Sequence, residues 1–173
     1  VVRPTRTITE ADLAPLPRPI QRYLRVAGVV GAPSVERFRV RMRGRLRSDP
    51  RSRWMPFTAD QVTTLDPPRR LFLMDATFFG VPVQAWHRLA DGHARMQVKA
   101  VGAVPIQQLD GEVMDRSETV TYFNDLCLMA PAALLDSAIA WTPLDDRAAT
   151  AAFTLGAHTI RATLHVDADG RLV

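Results

Sequence analysis

A strict alternation of arginine and apolar residues runs from Glu36 to Arg47 and restricts how this part of the chain can fold. Successive side chains of a β-strand point to opposite faces, so the alternation predicts one strand with an apolar face and a cationic face. The apolar set is Phe38, Val40, Met42 and Leu46 with Gly44, and the cationic set is Arg37, Arg39, Arg41, Arg43, Arg45 and Arg47.

Two more strands are predicted after this one. Trp54 to Leu65 contains Pro56, which favours an edge position or a bulge because proline cannot donate a hydrogen bond to a neighbouring strand. Leu71 to Phe79 is a continuous apolar run with Asp75 as its one charge, which is typical of a strand buried on both faces.

Asp91-Gly92 is the clearest local signal and predicts a two-residue hairpin turn. That turn pairs His87 with Met96 on the apolar face and sets Arg88 opposite Arg95 on the other face. Two arginines in this position require an acid or a bound anion nearby. A histidine on an apolar face is more often a hydrogen-bonded core residue than a functional group, and both interpretations stay open for His87.

The N-terminal segment, residues 1–30, is predicted to be helical. Thr9 and Asp12 form a helix start, Pro19 fits the first turn of a second helix, and Gly28 ends that helix. The second helix has a short apolar stripe, which is typical of a helix packed on a core.

A second helical segment is predicted within residues 115–136. Asp115 and Glu118 have the spacing of a capping box, and Pro131 must break or restart the helix. Three closing strands follow, at Ile139 to Trp141, Ala148 to Leu155 and His158 to Val166.

These segments predict an α+β fold, with a curled antiparallel β-sheet like a half-barrel, N-terminal helices and one inserted helical segment. The 173 residues suit a single domain, with helices in 1–30, antiparallel strands in 36–106, inserted helices in 115–136 and closing strands in 139–173. Cys127 is the one cysteine, which excludes a disulfide framework. The turn at Asp169-Gly170 precedes just three residues, so we expect a further strand beyond Val173.

Charge is distributed unevenly along the chain. Residues 1–53 carry 13 arginines and four acids, a balance of +9, while the other 120 residues carry nine bases and 14 acids, a balance of −5. The cationic strand face is predicted to bind an anion or a membrane surface, or to be neutralised by acids such as Asp60, Asp75 or Glu112. Nucleic acid is not expected, because no aromatic residues interleave with the arginines. The candidate anion-binding residues are Arg39, Arg41, Arg43, Arg88 and Arg95.

Several stretches resemble a bacterial family described as a domain of unknown function. They are LPRPIQRYLRVAGV (16–29), RWMPFTADQ (53–61), DGHARMQVKAVGAVPI (91–106), SETVTYFNDLCLMAPAALLD (117–136) and WTPLDD (141–146). The resemblance implies a domain often carried behind an N-terminal membrane segment, which is consistent with a chain that begins at Val1 without methionine. By coarser analogy, the layout is similar to the half-barrel of lipoprotein carriers such as LolA. A membrane-associated or envelope-facing location is therefore an expectation, with the cytoplasm as the alternative.

Common catalytic motifs are absent from the sequence, so no enzyme class is favoured. The best candidate catalytic set combines His87 with Glu118, Tyr122 and Asp125, which lie along one stripe of the inserted helix. The alternative interpretation is that this stripe is the solvated side of an amphipathic helix. Cys127, on the apolar side, is expected to be a buried hydrophobe.

No metal site and no cofactor are predicted. His87, His93, His158 and His165 lack the spacing of a ligand pair, and Asp167-x-Asp169-Gly170 lacks the remaining ligands of a calcium loop.

A binding domain for a hydrophobic or lipid-like ligand is the function favoured by the sequence, with the ligand in a cavity between sheet and helices. The strands and the inserted helix carry more large apolar residues than one thin sheet needs. The candidate ligand-binding residues are Trp54, Phe57, Trp86, Tyr122, Phe123 and Met129. An enzyme that uses His87 is the first alternative, and anion or membrane-surface binding through Arg37 to Arg47 is the second. The oligomeric state is left open.

Overall fold

The computed structural model describes residues 6–47 and 49–173. The helices are α1 (Glu10–Leu13), α2 (Arg18–Val26) and α3 (Glu112–Met129), with a 3-10 helix at Pro131–Leu135. The strands are β1 (Arg37–Leu46), β2 (Met55–Leu65), β3 (Pro68–Phe78), β4 (Val81–Ala90), β5 (His93–Ala100), β6 (Val104–Leu109), β7 (Ile139–Pro143), β8 (Ala148–Leu155) and β9 (His158–His165). The first five residues of the predicted helical segment 1–30 lie outside the described residues.

Two compact units make up the chain. One consists of residues up to Glu36 together with Thr119–Val173, and the other is Arg37–Glu118, here called the sheet unit. The fold is α+β with open antiparallel sheets, as predicted. Helix α3 begins in the sheet unit and continues in the other unit.

The sheet unit is a six-stranded antiparallel meander in the order β1 to β6. The hairpin at Asp91-Gly92 has the predicted register, with His87 opposite Met96 and Arg88 opposite Arg95. Both turn residues have positive φ, 55° and 79°, as a two-residue hairpin turn of this kind requires.

The register divides the sheet into a cationic face and an apolar face. The cationic face carries Arg37, Arg39, Arg41, Arg43 and Arg45 of β1 and the residues aligned with them on the other strands. The apolar face has rows of aligned side chains. Each row runs across β1 to β5 and contains one residue from each strand. The first row is Phe38, Thr63, Arg70, Leu89 and Ala94, and the second is Val40, Gln61, Phe72, His87 and Met96. The third row is Met42, Ala59, Met74, Ala85 and Val98, and the fourth is Gly44, Phe57, Ala76, Val83 and Ala100. Leu46 and Met55 close this face at one end.

Strand β3 corrects one prediction. It begins at Pro68 instead of Leu71, and it is not buried on both faces, because Leu71 and Leu73 are 41% and 47% exposed on the cationic face. The longer strand brings Arg70 into the sheet, in phase with Phe72.

The other unit contains the three-stranded sheet β7-β8-β9, at the positions predicted for the closing strands. Phe123 of α3 is buried and its ring centroid lies 5.5 Å from that of Phe153 on β8. In the N-terminal helices, the Thr9 N–H donates to the Asp12 carboxylate at 2.7 Å, and Gly28 has a φ of 72° after α2, both as predicted.

Helix α3 corrects two further predictions. It begins at Glu112, and Asp115 accepts a hydrogen bond from the Ala94 N–H at 2.6 Å instead of capping the helix. The stripe of Glu118, Tyr122 and Asp125 is buried, so it is not the solvated side of the helix.

Candidate functional site

A buried charge network lies on the apolar face of the sheet unit. Strands β2, β3 and β4 place Gln61, Arg70 and His87 in adjacent positions of two neighbouring rows, and the first part of α3 brings Glu118 to them. Because alternate side chains of a strand point to the same face, a polar residue at an apolar position of the pattern points toward the interior. Each such residue needs a hydrogen-bond partner there.

Glu118 is the centre of the network. Its Oε1 lies 2.9 Å from Nδ1 of His87, and its Oε2 accepts a hydrogen bond from the Arg70 guanidinium at 3.0 Å. Arg70 also donates to Oε1 of Gln61 at 3.0 Å, and the Gln61 amide donates to the Thr63 hydroxyl at 3.1 Å. The network therefore satisfies a buried carboxylate and a buried guanidinium together.

Burial and charge act in opposite directions on Glu118. Desolvation is the largest influence and raises its pKa, but the hydrogen bond with His87 and the positive charge of Arg70 together outweigh burial, so the pKa lies below its ordinary value. The carboxylate is therefore ionised near neutral pH. When the imidazole is neutral, an ionised Glu118 accepts a hydrogen bond from Nδ1–H of His87, and a lone pair then remains on Nε2.

The His87 ring lies at the boundary between this network and the apolar rows. Its side chain is 26% exposed, and its Nε2 has no hydrogen-bond partner in residues 6–47 and 49–173. The ring meets Phe72 edge-on with centroids 5.6 Å apart, and the Arg70 guanidinium carbon lies 5.3 Å from the centroid of the same phenyl ring. Glu118 therefore orients the imidazole, and Phe72 provides apolar surface beside it.

Acid should destabilise the protein partly through Glu118. Since its pKa is lower in the folded state, its ionised form stabilises the fold above the unfolded pKa, and this contribution is lost as the pH falls through the folded pKa. We expect the difference in urea midpoint between the native protein and Glu118→Gln to be constant at neutral pH and to shrink below about pH 4.5. A difference that is independent of pH from about 7 to 3 would contradict the lowered pKa.

Just two of the candidate catalytic residues come together. His87 and Glu118 form the pair described above. Tyr122 and Asp125 are buried in the other unit, where Tyr122 stacks on Phe153 with centroids 6.0 Å apart and burial raises its pKa. Burial also raises the pKa of the Cys127 thiol, to about 12, which agrees with a buried hydrophobe.

The candidate ligand-binding residues do not line one surface. Phe57 lies half-buried on the apolar face, whereas Trp86 lies on the cationic face, where its indole N–H donates to Gln97. Trp54 is exposed in the β1–β2 loop. Phe123 is in the core of the other unit with Tyr122, and Met129 is half-buried there.

The candidate anion-binding arginines are partly neutralised. Arg39 forms a bidentate ion pair with Asp60, and Nε of Arg41 lies 3.6 Å from the same carboxylate. Arg43 is exposed, and Arg88 and Arg95 face one another across β4 and β5. Within the described part of the chain, no carboxylate forms an ion pair with any of these last three arginines.

Sequence reasoning missed Gln61, Thr63 and Arg70. The signal for Gln61 and Thr63 is present in the sequence, because both continue the apolar phase of the predicted strand Trp54 to Leu65. Arg70 precedes the predicted strand Leu71 to Phe79, so no alternation identifies it. The described residues hold no cluster of three or more potential metal ligands and no helix long and apolar enough to cross a membrane.

A family model covers residues 6–173 of this chain and is described as a family of unknown function, DUF6544. The chain belongs to the DUF6544 family. No curated protein and no solved structure matches the chain. Membership in DUF6544 therefore assigns no activity, and the similarity to LolA-type carriers stays a prediction.

Proposed function

We propose that the apolar face of the sheet unit binds a single-chain amphiphile. Its polar group lies at His87, and its apolar chain runs parallel to the strands and crosses the successive rows of the apolar face. The observation that carries this proposal is the incomplete burial of the large apolar side chains on this face. Met42, Phe57, Phe72, Met74, Val83, Met96 and Val98 are all half-buried. Large apolar groups that keep exposed surface are typical of a ligand-binding surface.

The length of the apolar face and the flexibility of its side chains support a ligand with an extended apolar chain. From Phe72 to Phe78, the seven residues of β3 span about 20 Å. Four methionines lie on this face, Met42, Met55, Met74 and Met96, and unbranched methionine side chains adapt to ligands of different shape. Gly44 leaves room for the Phe57 ring, since a Cβ there would lie 3.1 Å from it.

The hydrogen-bonding capacity of His87 supports a polar group at one end of the ligand. Nε2 of His87 can accept a hydrogen bond from a hydroxyl group, or donate one to a carboxylate when the imidazole is protonated. The charges of Arg70 and Glu118 neutralise one another, so a fixed ligand charge is not required.

A matched pair of substitutions on β3 tests the proposal. Met74→Gln places an amide on the apolar face, whereas Leu73→Gln places the same group on the cationic face of the same strand. We expect Met74→Gln to weaken binding of dansyl-labelled undecanoic acid about tenfold, because burying an unpaired amide costs on the order of 1–3 kcal/mol. Leu73→Gln should leave the affinity unchanged.

Three results would contradict amphiphile binding at this face. They are the absence of saturable probe binding, equal affinities of the two variants, and a dimer in sedimentation that buries the face against a second copy. Displacement of the probe by unlabelled dodecanoic acid or its monoglyceride is the control for specific binding.

General-base catalysis at His87 is a second candidate function, supported by the 2.9 Å distance between Nδ1 and Glu118. No nucleophilic side chain hydrogen-bonds with His87 in the described residues, and for this reason binding is the first proposal. Hydrolysis of p-nitrophenyl laurate that is lost in His87→Gln would favour catalysis. Binding of the ester without hydrolysis would favour amphiphile binding without catalysis.

A further inference from the structure

Three loops meet at one end of the six-stranded sheet. They are the β1–β2 loop from Arg47 to Trp54, the turn Phe79-Gly80 and the β5–β6 loop Val101–Ala103. These three loops, without residue 48, are here called the tip. The Val101 N–H donates to the Pro82 carbonyl at 2.9 Å and ties the third loop to the start of β4. The tip lies at the opposite end of the sheet from the hairpin turn Asp91-Gly92.

The tip and the strand ends beside it expose large apolar side chains. Trp54 is 53% exposed, Phe79 69% and Val101 66%, and Phe78 and Val104 are exposed as well. Trp54, Phe78 and Phe79 all line one depression of about 380 Å³. Exposed apolar groups clustered in this way mark a binding surface more often than isolated ones do.

Backbone conformation at the tip is an independent observation. Phe79-Gly80 is a two-residue hairpin turn with φ values of 50° and 81°, close to the 55° and 79° of Asp91-Gly92 at the other end of the sheet. Asparagine and aspartate adopt a positive φ at the first turn position at little cost, whereas this conformation is unfavourable for phenylalanine. Val101 also has a positive φ, 51°, which is rarer still for a β-branched residue. The tip thus holds two apolar side chains in solvent at a conformational cost, which is typical of functional positions.

Arginines lie beside two of the aromatic side chains of the tip. The Arg47 guanidinium carbon lies 4.5 Å from the centroid of the Trp54 ring, and that of Arg53 lies 6.0 Å from the Phe79 ring. Arg51 of the β1–β2 loop adds a further positive charge, and Arg45 adds another at the adjoining end of β1, opposite Pro56. Asp49, the acid of this loop, accepts hydrogen bonds from the backbone N–H groups of its own loop, Arg51 at 2.8 Å among them.

We propose that the tip docks on the surface of an anionic phospholipid bilayer. Aromatic and aliphatic side chains enter the interface between headgroups and acyl chains, and the arginines contact the lipid phosphates. Charge complementarity favours this occupant over a second copy of the chain, because a second tip would bring like charges together. Membrane docking at the tip goes beyond the proposed ligand binding on the apolar face and does not depend on it.

The turn chemistry provides a variant that removes the apolar groups without harm to the fold. Phe79→Asn and Val101→Asn each create an Asn-Gly pair at a position with positive φ, so the doubly substituted chain should unfold at the same or a higher urea concentration than the native chain. Val113→Asn is the matched control, since Val113 is 85% exposed and lies two residues before Asp115, which contacts Ala94 next to the hairpin turn at the opposite end of the sheet.

Cosedimentation of the full chain with vesicles tests the proposal. We expect binding to phosphatidylcholine vesicles that contain about 30 mol% phosphatidylglycerol, and weaker binding at about 0.5 M salt than at about 0.05 M, because salt screens the arginine contacts. The Phe79→Asn/Val101→Asn variant should bind at least about tenfold more weakly. Val113→Asn should bind like the native chain.

Three results would overturn membrane docking at the tip. They are the absence of native binding to the anionic vesicles, equal binding by the double variant, and a dimer in sedimentation velocity that the double variant abolishes. Because the probe titration with Met74→Gln uses no vesicles, its outcome is separate from this one.

Discussion

Arg70→Met is expected to lower the free energy of unfolding by about 3–5 kcal/mol, because it leaves the buried Glu118 carboxylate without its guanidinium partner. Both side chains of this ion pair are nearly inaccessible, 7% and 4% exposed. A buried charge that loses its partner pays the cost of desolvation with less compensation. Urea unfolding monitored by circular dichroism measures the change.

Two further variants separate this effect from a general loss of packing. Arg69→Met removes the neighbouring arginine, whose contact with Asp91 is exposed and 3.7 Å long, so it should cost less than about 1 kcal/mol. Arg70→Met combined with Glu118→Leu removes both charges and should recover most of the lost stability. Equal losses for Arg70→Met and Arg69→Met would contradict the buried network.

Gly170→Ala should have the second largest effect, a loss of about 2–4 kcal/mol. Gly170 has a φ of 86°, and a Cβ at this position would lie 2.8 Å from the Val26 side chain and 3.3 Å from the Arg22 carbonyl oxygen. Backbone strain and a clash therefore act together, and the clash is partly with backbone that cannot move aside cheaply.

Gly31→Ala isolates the backbone component. Gly31 has nearly the same φ, 85°, but open space where the Cβ would be. We expect it to cost about 1–2 kcal/mol, so the difference between the two variants measures the clash with α2. If both substitutions reduce the urea midpoint equally, Gly170 does not pack against α2 as described.

The strands of the sheet unit could be predicted because local rules agree there. Arginine alternation identified both faces of β1, and Asp91-Gly92 fixed the register of β4 and β5. The β3–β4 turn could not be recognised in the same way, since Phe79 at its first position breaks the preference on which turn prediction relies.

The charge network could be predicted only in part. His87 was placed on the apolar face from its register, and Glu118 was a candidate because of its helical spacing. Their pairing depends on how α3 lies on the sheet, which no local pattern encodes. Arg70 lies outside the predicted strand, which begins at Leu71, so the sequence does not predict its ion pair with Glu118.

Methionine-methyl NMR is the most direct test of amphiphile binding on the apolar face. Of the six methionines, Met42, Met55, Met74 and Met96 lie on that face, whereas Met114 lies in α3 and Met129 in the other unit. On titration with dodecanoic acid, we expect saturable shifts of the four methyl signals from the apolar face and little change in the other two. Saturable shifts confined to Met114 and Met129, or no shifts at all, would contradict ligand binding at this site.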